Sequence, residues 1–245
     1  MNPALTLATA GRVLRQLAHD PRSIVLMLVA PSLLVGLFSW LFSEQEGVFE
    51  RFGAPILALF PFIVMFVITS VTTLRERRSG TLERLLTTPI GKGDVIVGYA
   101  LAFGLMAVLQ AVITVVFAVV VCGLTVEGTN WQLGLVAIVD ALAGTALGLL
   151  ASAFARTEFQ VVQFMPLIVF PQILLGGIFI PRDQLPDGLR QISDWLPLSH
   201  AIDALNAVAS DSHDAAWIGG QLLIIAAFAV GAIVLGSITL NRRTP

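Results

Sequence analysis

Six long apolar stretches set the rhythm of the chain. Ile24–Phe42, Phe52–Leu74, Val95–Val126, Phe159–Pro181 and Ala215–Asn241 contain no Asp, Glu, Lys or Arg, and Trp131–Ala155 contains only Asp140. A helix needs about 20 apolar residues to cross the hydrocarbon core of a bilayer. The pattern therefore predicts an all-α integral membrane protein with six transmembrane helices over 24–42, 52–74, 95–126, 131–155, 159–181 and 215–241 in a single domain. The third run has 32 residues, so it must tilt or project beyond one face.

The basic residues orient these spans, because short loops on the cytoplasmic side carry an excess of Lys and Arg. With a cytoplasmic N-terminus, the inner segments hold 11 of the 14 basic residues, and the outer ones hold only Arg51, Arg182 and Arg190. The outer segments hold ten acids, among them Glu44, Glu127 and Asp183. Both termini are expected inside, with the chain in a bacterial plasma membrane. The bacterial source rests on abundant Ala, Val and Gly and on 13 Arg against one Lys.

Three segments between the spans have patterns of their own. Residues 5–19 form an amphipathic helix, with Arg12, Arg15, Gln16 and His19 on one stripe and Leu7, Leu14 and Leu17 on another. Such a helix lies in the inner membrane interface, as an anchor or as a surface for a cytoplasmic partner. In the loop 75–94, Gly80 can cap a short helix with Glu83 near its positive end. Leu82, Leu85 and Leu86 share one face, and Thr88-Pro89 ends the helix. Two helical turns are unstable alone, so this helix is expected to dock on something. Further on, before and within 170–209, Pro166 and Pro171 are expected to interrupt the fifth span. Leu189, Ile192 and Trp195 stripe a short helix closed by Pro197, and Ser199 caps another through Val208. These pieces are too short to cross and suit re-entrant or interface-lying helices on the outer face.

Composition excludes several functions. At 56% hydrophobic and 12% charged residues, with mean hydropathy +0.88, the chain has half the charge of a soluble domain, where about 25% is usual. A soluble enzyme is excluded. Net charge −2 gives no case for nucleic acid. Gly91-Lys92-Gly93 does not fit the phosphate-binding loop G-x-x-x-x-G-K-[ST]. Cys122 and the scattered His19, His200 and His213 offer no metal spacing. No catalytic residue, metal or cofactor is expected on this chain. A proton- or sodium-driven carrier usually needs several buried ionisable groups, and only Asp140 lies within a span.

Asp140 sits about two and a half turns from the outer end of its span. Two roles stay open for it: a structural carboxyl hydrogen-bonded by Gln110, Gln163, Gln172, Thr114 or Thr145, or a substrate or gating group. The phenylalanines, 15 in all, are mostly lipid-facing or packing residues, with a minority available to line an apolar path.

The sequences Glu76–Ile90 (ERRSGTLERLLTTPI), Gly176–Pro186 (GGIFIPRDQLP) and Trp195–Leu205 (WLPLSHAIDAL) resemble the permease subunits of type 2 ATP-binding-cassette (ABC) exporters. The likeness is closest to the daunorubicin-resistance and nodulation-factor permeases and runs over nearly the whole chain. It implies that Glu76, Arg77, Gly80, Thr81, Leu82, Glu83, Arg84 and Leu85 belong to a cytoplasmic coupling helix against a separate ABC ATPase. Arg156 and Glu158 would form a smaller second contact. It further implies two ATPase subunits carrying ATP and Mg, and a second permease chain, either a copy or a paralogue. The short loop at 43–51 and the lack of a fused ATPase suggest the compact bacterial form. In the family's architecture the second and fifth spans line the dimer interface, which nominates Phe60, Phe66, Phe164, Phe170 and Gln172, with Asp140, as substrate-path residues. The expected cargo is amphipathic: a drug, a lipid or a lipid-linked glycan. The rival reading is an ATPase-independent small carrier or membrane assembly factor.

Overall fold

In a computed structural model of the chain, residues 2–45, 47–79 and 91–240 are described, and these are helical with no strand. The helices are α1 (Pro3–Ala18), α2 (Pro21–Leu41), α3 (Val48–Arg78), α4 (Lys92–Val116), α5 (Asn130–Phe154), α6 (Glu158–Leu175), α7 (Asp187–Ser193), α8 (Pro197–Ala209) and α9 (Ala215–Leu240). Six of them, α2 to α6 and α9, are long and apolar enough to cross a membrane. The chain is a multi-pass, all-α membrane protein.

Local chemistry sets the ends of these helices. Asn2 accepts from the Ala4 N–H (3.0 Å) with Pro3 following, and Asp20 caps α2 through Ser23, with Pro21 following. Proline at the first helical position is pre-set in φ and gives up only an N–H that no helix bond uses. α4 stops short of the expected 126. It runs into a wider turn over 117–121, and Gly123 then takes a left-handed φ of 71°, turning the Leu124 N–H back onto the Ala118 carbonyl (2.9 Å). Absence of charge marks where lipid is tolerated, not where a helix stops. The fifth span also differs from expectation. Pro166 and Pro171 lie within a continuous α6, which ends at Leu175, so 176–181 form turns. Ser199 is not a cap: α8 starts at Pro197, and the Ser199 hydroxyl lies 3.2 Å from that of Ser193.

The core is the pair α3 and α5, which share the most extensive contact of any two helices. Between helices in lipid there is little hydrophobic driving force, so close backbone approach governs packing. A Cβ on Gly144 would stand 2.5 Å from the Phe62 carbonyl oxygen, and one on Gly148 would stand 2.6 Å from that of Phe66. Only glycine admits α3 this closely. α8, too short to cross at about 1.5 Å per residue, is buried among α3, α5, α6 and α9, with Leu198, Ala201, Ile202, Ala204 and Leu205 wholly enclosed. Ser193 ties its approach to the end of α6 through the Leu175 carbonyl (2.8 Å). α2, α6 and α9 present most of their apolar surface outward, as at Leu33, Phe159, Leu167, Phe170 and Leu223.

The amphipathic N-terminal helix is present, but its leucine stripe is split. Leu17 is buried and Leu7 is exposed. The buried stripe runs Thr6, Thr9, Ala10, Val13 and Leu17 and packs against α4.

Candidate coupling end and substrate face

α1 reaches both flanks of the loop 80–90. On the α3 side, the Arg12 guanidinium grips Glu76 with both of its terminal nitrogens, 3.1 and 3.3 Å from the two carboxylate oxygens. Arg12 also donates to the Tyr99 hydroxyl (2.9 Å) on α4. Glu76 is only 4% exposed. A carboxylate so placed is tolerated because it is paired in a two-point geometry. On the α4 side, buried Asp94 accepts from the Asn2 N–H (2.8 Å) and the Thr6 hydroxyl (3.1 Å), both at the start of α1, and from the Gly91 N–H (3.2 Å). The described residues on either side of 80–90 are therefore both pinned to one helix, α1.

The same basic end joins α3 to α5 and α6. Arg75 forms a two-point pair with Glu158 (2.9 and 3.0 Å), exposed on both sides, and Arg77 donates to the Ser152 carbonyl at the end of α5. The Arg156 N–H is taken by Gln160 (2.8 Å), and Thr157 caps α6 (3.1 Å). Among the residues named for coupling, Glu76, Arg77, Arg156 and Glu158 thus share one end of the bundle. The carboxylate of Glu76 is turned into α1. Gly80, Thr81, Leu82, Glu83, Arg84 and Leu85, with the short helix expected there, lie outside the described residues.

The residues named for a substrate path do not form one surface. Phe66 and Asp140 are wholly buried, and Phe60 is half-buried. Phe164 packs against the small cluster of Leu74, Ala155 and Val161. Gln172 is an internal brace: it donates to the Ile168 carbonyl (2.9 Å) and accepts from the Leu198 N–H (3.2 Å), tying α6 to α8. Phe170 alone faces outward.

Asp140 has no hydrogen-bond partner at either carboxylate oxygen among the described residues. Of its expected partners, Thr114, Thr145 and Gln172 bond elsewhere, and Gln110 does not reach it. Thr114 donates to the Gln110 carbonyl (2.9 Å) and Thr145 to that of Ala141 (3.0 Å), and the Gln110 side-chain amide is itself buried and unpartnered. Among the described residues, therefore, no hydrogen bond holds the Asp140 carboxyl. Leaving a buried polar group unmade is costly.

A family profile described as "ABC-2 type transporter" matches residues 4–209, which include α1, both flanks of the loop and α8. The chain belongs to the ABC-2 type transporter family. It is 26% identical over 148 residues to the probable multidrug ABC transporter permease YbhR of Escherichia coli, covering 60% of this chain and 40% of that protein. It is 30% identical over 135 residues to nodulation protein J of Rhizobium leguminosarum, covering 54% and 50%. ABC transporter G family member 20 of Dictyostelium discoideum is 23% identical over 207 residues, covering 82% of this chain and 28% of that protein. The chain thus spans half or less of the length of these relatives.

In this ABC-2 chain, two features of the basic end have no local signature. Arg12 and Glu76 are 64 positions apart, and Asn2 and Asp94 are 92 apart. The available hints were a lone Asp and a lone Tyr in the first turns of an otherwise apolar span, Asp94 and Tyr99.

Proposed function

We propose that the chain is the membrane-spanning permease of an ATP-driven exporter. A separate ABC ATPase, carrying ATP and Mg, docks on the loop 80–90, and two permease chains with two ATPases complete the assembly. The basic end faces the cytoplasm and the acidic end faces outward, so the cargo, an amphipathic drug, lipid or lipid-linked glycan, leaves from the acidic end. The observation that carries this reading is the double fastening of α1. Closure of the ATPases moves the loop, and both of its flanks transmit that motion to α1, α3 and α4 together. Arg75–Glu158 extends the link to α6, whose outward apolar face supplies Phe170 to the path.

Glu83→Lys tests the docking. The variant is expected to insert normally and to lose recovery of the ATPase partner, and with it vanadate-sensitive transport. Unchanged partner recovery together with unchanged transport overturns the reading. A second reading, an ATPase-independent carrier, draws on the unpartnered carboxyl of Asp140. Transport that proceeds without ATPase, collapses with the proton gradient and is abolished in Asp140→Asn would establish it instead.

A further inference from the structure

Away from the coupling end, the acidic end of the bundle contains a hollow of about 590 Å³, within the range of about 300–1,000 Å³ usual for small-molecule sites. It lies where the turns after α6 meet α8 and the first turns of α9. Its wall is a prepared polar network. Arg182 donates one terminal nitrogen to Asp203 and the other to Asp194. These bonds use Oδ2 of Asp203 and Oδ1 of Asp194, and the second oxygen of each carboxylate can still accept. His200 lies between the Gln221 side-chain amide (2.6 Å) and the Asp194 carbonyl (3.0 Å). Asn206 adds a further amide. Trp217 lines the hollow with His213 stacked on it, ring centres 4.0 Å apart.

Three carboxylates, those of Asp183, Asp194 and Asp203, face two guanidinium groups, those of Arg182 and Arg190. Arg182 is already shared between two of the acids. A bare anion would meet the carboxylates, and a bare cation would meet the arginines. An uncharged ligand with many hydroxyls meets neither conflict. Each hydroxyl both donates and accepts, matching carboxylate oxygens beside guanidinium and amide N–H groups, and the flat indole offers an apolar wall to C–H groups.

We infer that this hollow binds a hydroxyl-rich glycosyl group, the polar end of the exported amphiphile. The inference rests on the export reading above and adds the class of its cargo. The site adjoins the C-terminal end of α6, so a molecule whose apolar part lies along the outward face of that helix can place its head in the hollow.

The test uses the full chain in lipid nanodiscs without any ATPase, so its failure is distinct from failure of ATPase docking. Methyl glycosides of glucose, galactose and N-acetylglucosamine are titrated by calorimetry, with choline and inorganic phosphate as comparators. Saturable binding of at least one glycoside is expected, about tenfold weaker in Asp203→Asn, which weakens a polar contact, and about tenfold weaker in Trp217→Ala, which removes the apolar wall. Asn206→Ala, which leaves the Arg182 bridge intact, is expected to weaken binding as well and guards against misfolding of the other variants. No glycoside binding, preferential binding of choline or phosphate, or glycoside affinity unchanged in correctly folded variants overturns the inference.

Discussion

The two ends of the bundle both place an arginine between elements distant in sequence, and they use it differently. At the basic end, Arg12 closes on a carboxylate that is 4% exposed, and the pair fastens α1 to α3. At the acidic end, Arg182 divides itself between Asp203, 28% exposed, and Asp194, 54% exposed, and the bridge stands in the wall of an open hollow. A closed pair resists being pulled apart and can carry movement. A bridge that leaves half of each carboxylate free can rearrange around a guest. The difference in exposure separates a joint from a receptor.

The largest expected effect is all-or-none and concerns which side of the membrane each end faces. In a Cys122→Ser background, Asp187→Cys is expected to react with an impermeant thiol reagent added outside intact cells, and Arg156→Cys only after permeabilisation. The reverse pattern would exchange the roles of the two ends. Next comes Arg12→Met, which strands the buried Glu76 carboxylate. Removing one partner of a buried pair costs about 3–5 kcal/mol, so a large drop in the unfolding midpoint in mild detergent is expected. Arg12→Met with Glu76→Met should recover most of it, because the stranded charge is gone. A double variant no better than the single would mean that the pair is not what fastens α1.

Arg182→Met should be milder, about 1–3 kcal/mol, and should depend on pH. Burial raises the Asp203 carboxyl above its ordinary 3.8, opposed by the nearby Arg182. The folded state then holds that proton more tightly than the unfolded chain. Stability is therefore favoured at low pH and declines as pH rises from about 3.8 through the raised native value. Loss of Arg182 should steepen the decline, and Asp203→Asn should remove it, as read from unfolding midpoints across that window. The smallest effect is expected from Arg75→Ala. The Arg75–Glu158 pair is exposed on both sides, and such pairs contribute about 0–1 kcal/mol. A large loss of stability there would show that α3 and α6 depend on this bridge as much as α1 depends on Arg12.

The spans were legible because hydropathy is read locally: each of the six runs has its helix, and the helix ends fall within a few residues for α2 and α5. The ends that moved had a reason. At 121–124 the chain turns on Gly123, and at 175–181 it turns on Gly176-Gly177, both inside stretches that contain no charge. α8 was legible as a short helix but not as a buried one, because its neighbours α3 and α5 are contributed from far away. The candidate site was half legible. The charged loop stood out, whereas of its anchors Arg12 read only as part of a polar stripe and Asp94 as a loop end, and Tyr99 drew no reading at all. Gln172 and Phe66 were nominated for the path by the spans that the family resemblance places at the dimer interface, and packing took both inside.

The glycine contacts between α5 and α3 also constrain how the protein is made. α3 ends at Arg78 and α5 begins at Asn130, so α3 is threaded into the bilayer about 50 residues before its principal partner. At synthesis rates of about 5–20 residues per second, that leaves α3 waiting for several seconds beside α4. When α5 follows, it brings Asp140 into lipid, an insertion opposed by about 2.5–3.5 kcal/mol for a carboxylate at mid-span. Compensation comes only when the Gly144 and Gly148 face docks on α3, and it comes from that close packing, since the carboxyl finds no partner among the described residues. Retention of this span is thus a contest between docking and expulsion at the translocon, and bulk at either glycine would tip it toward degradation before any transport could be measured.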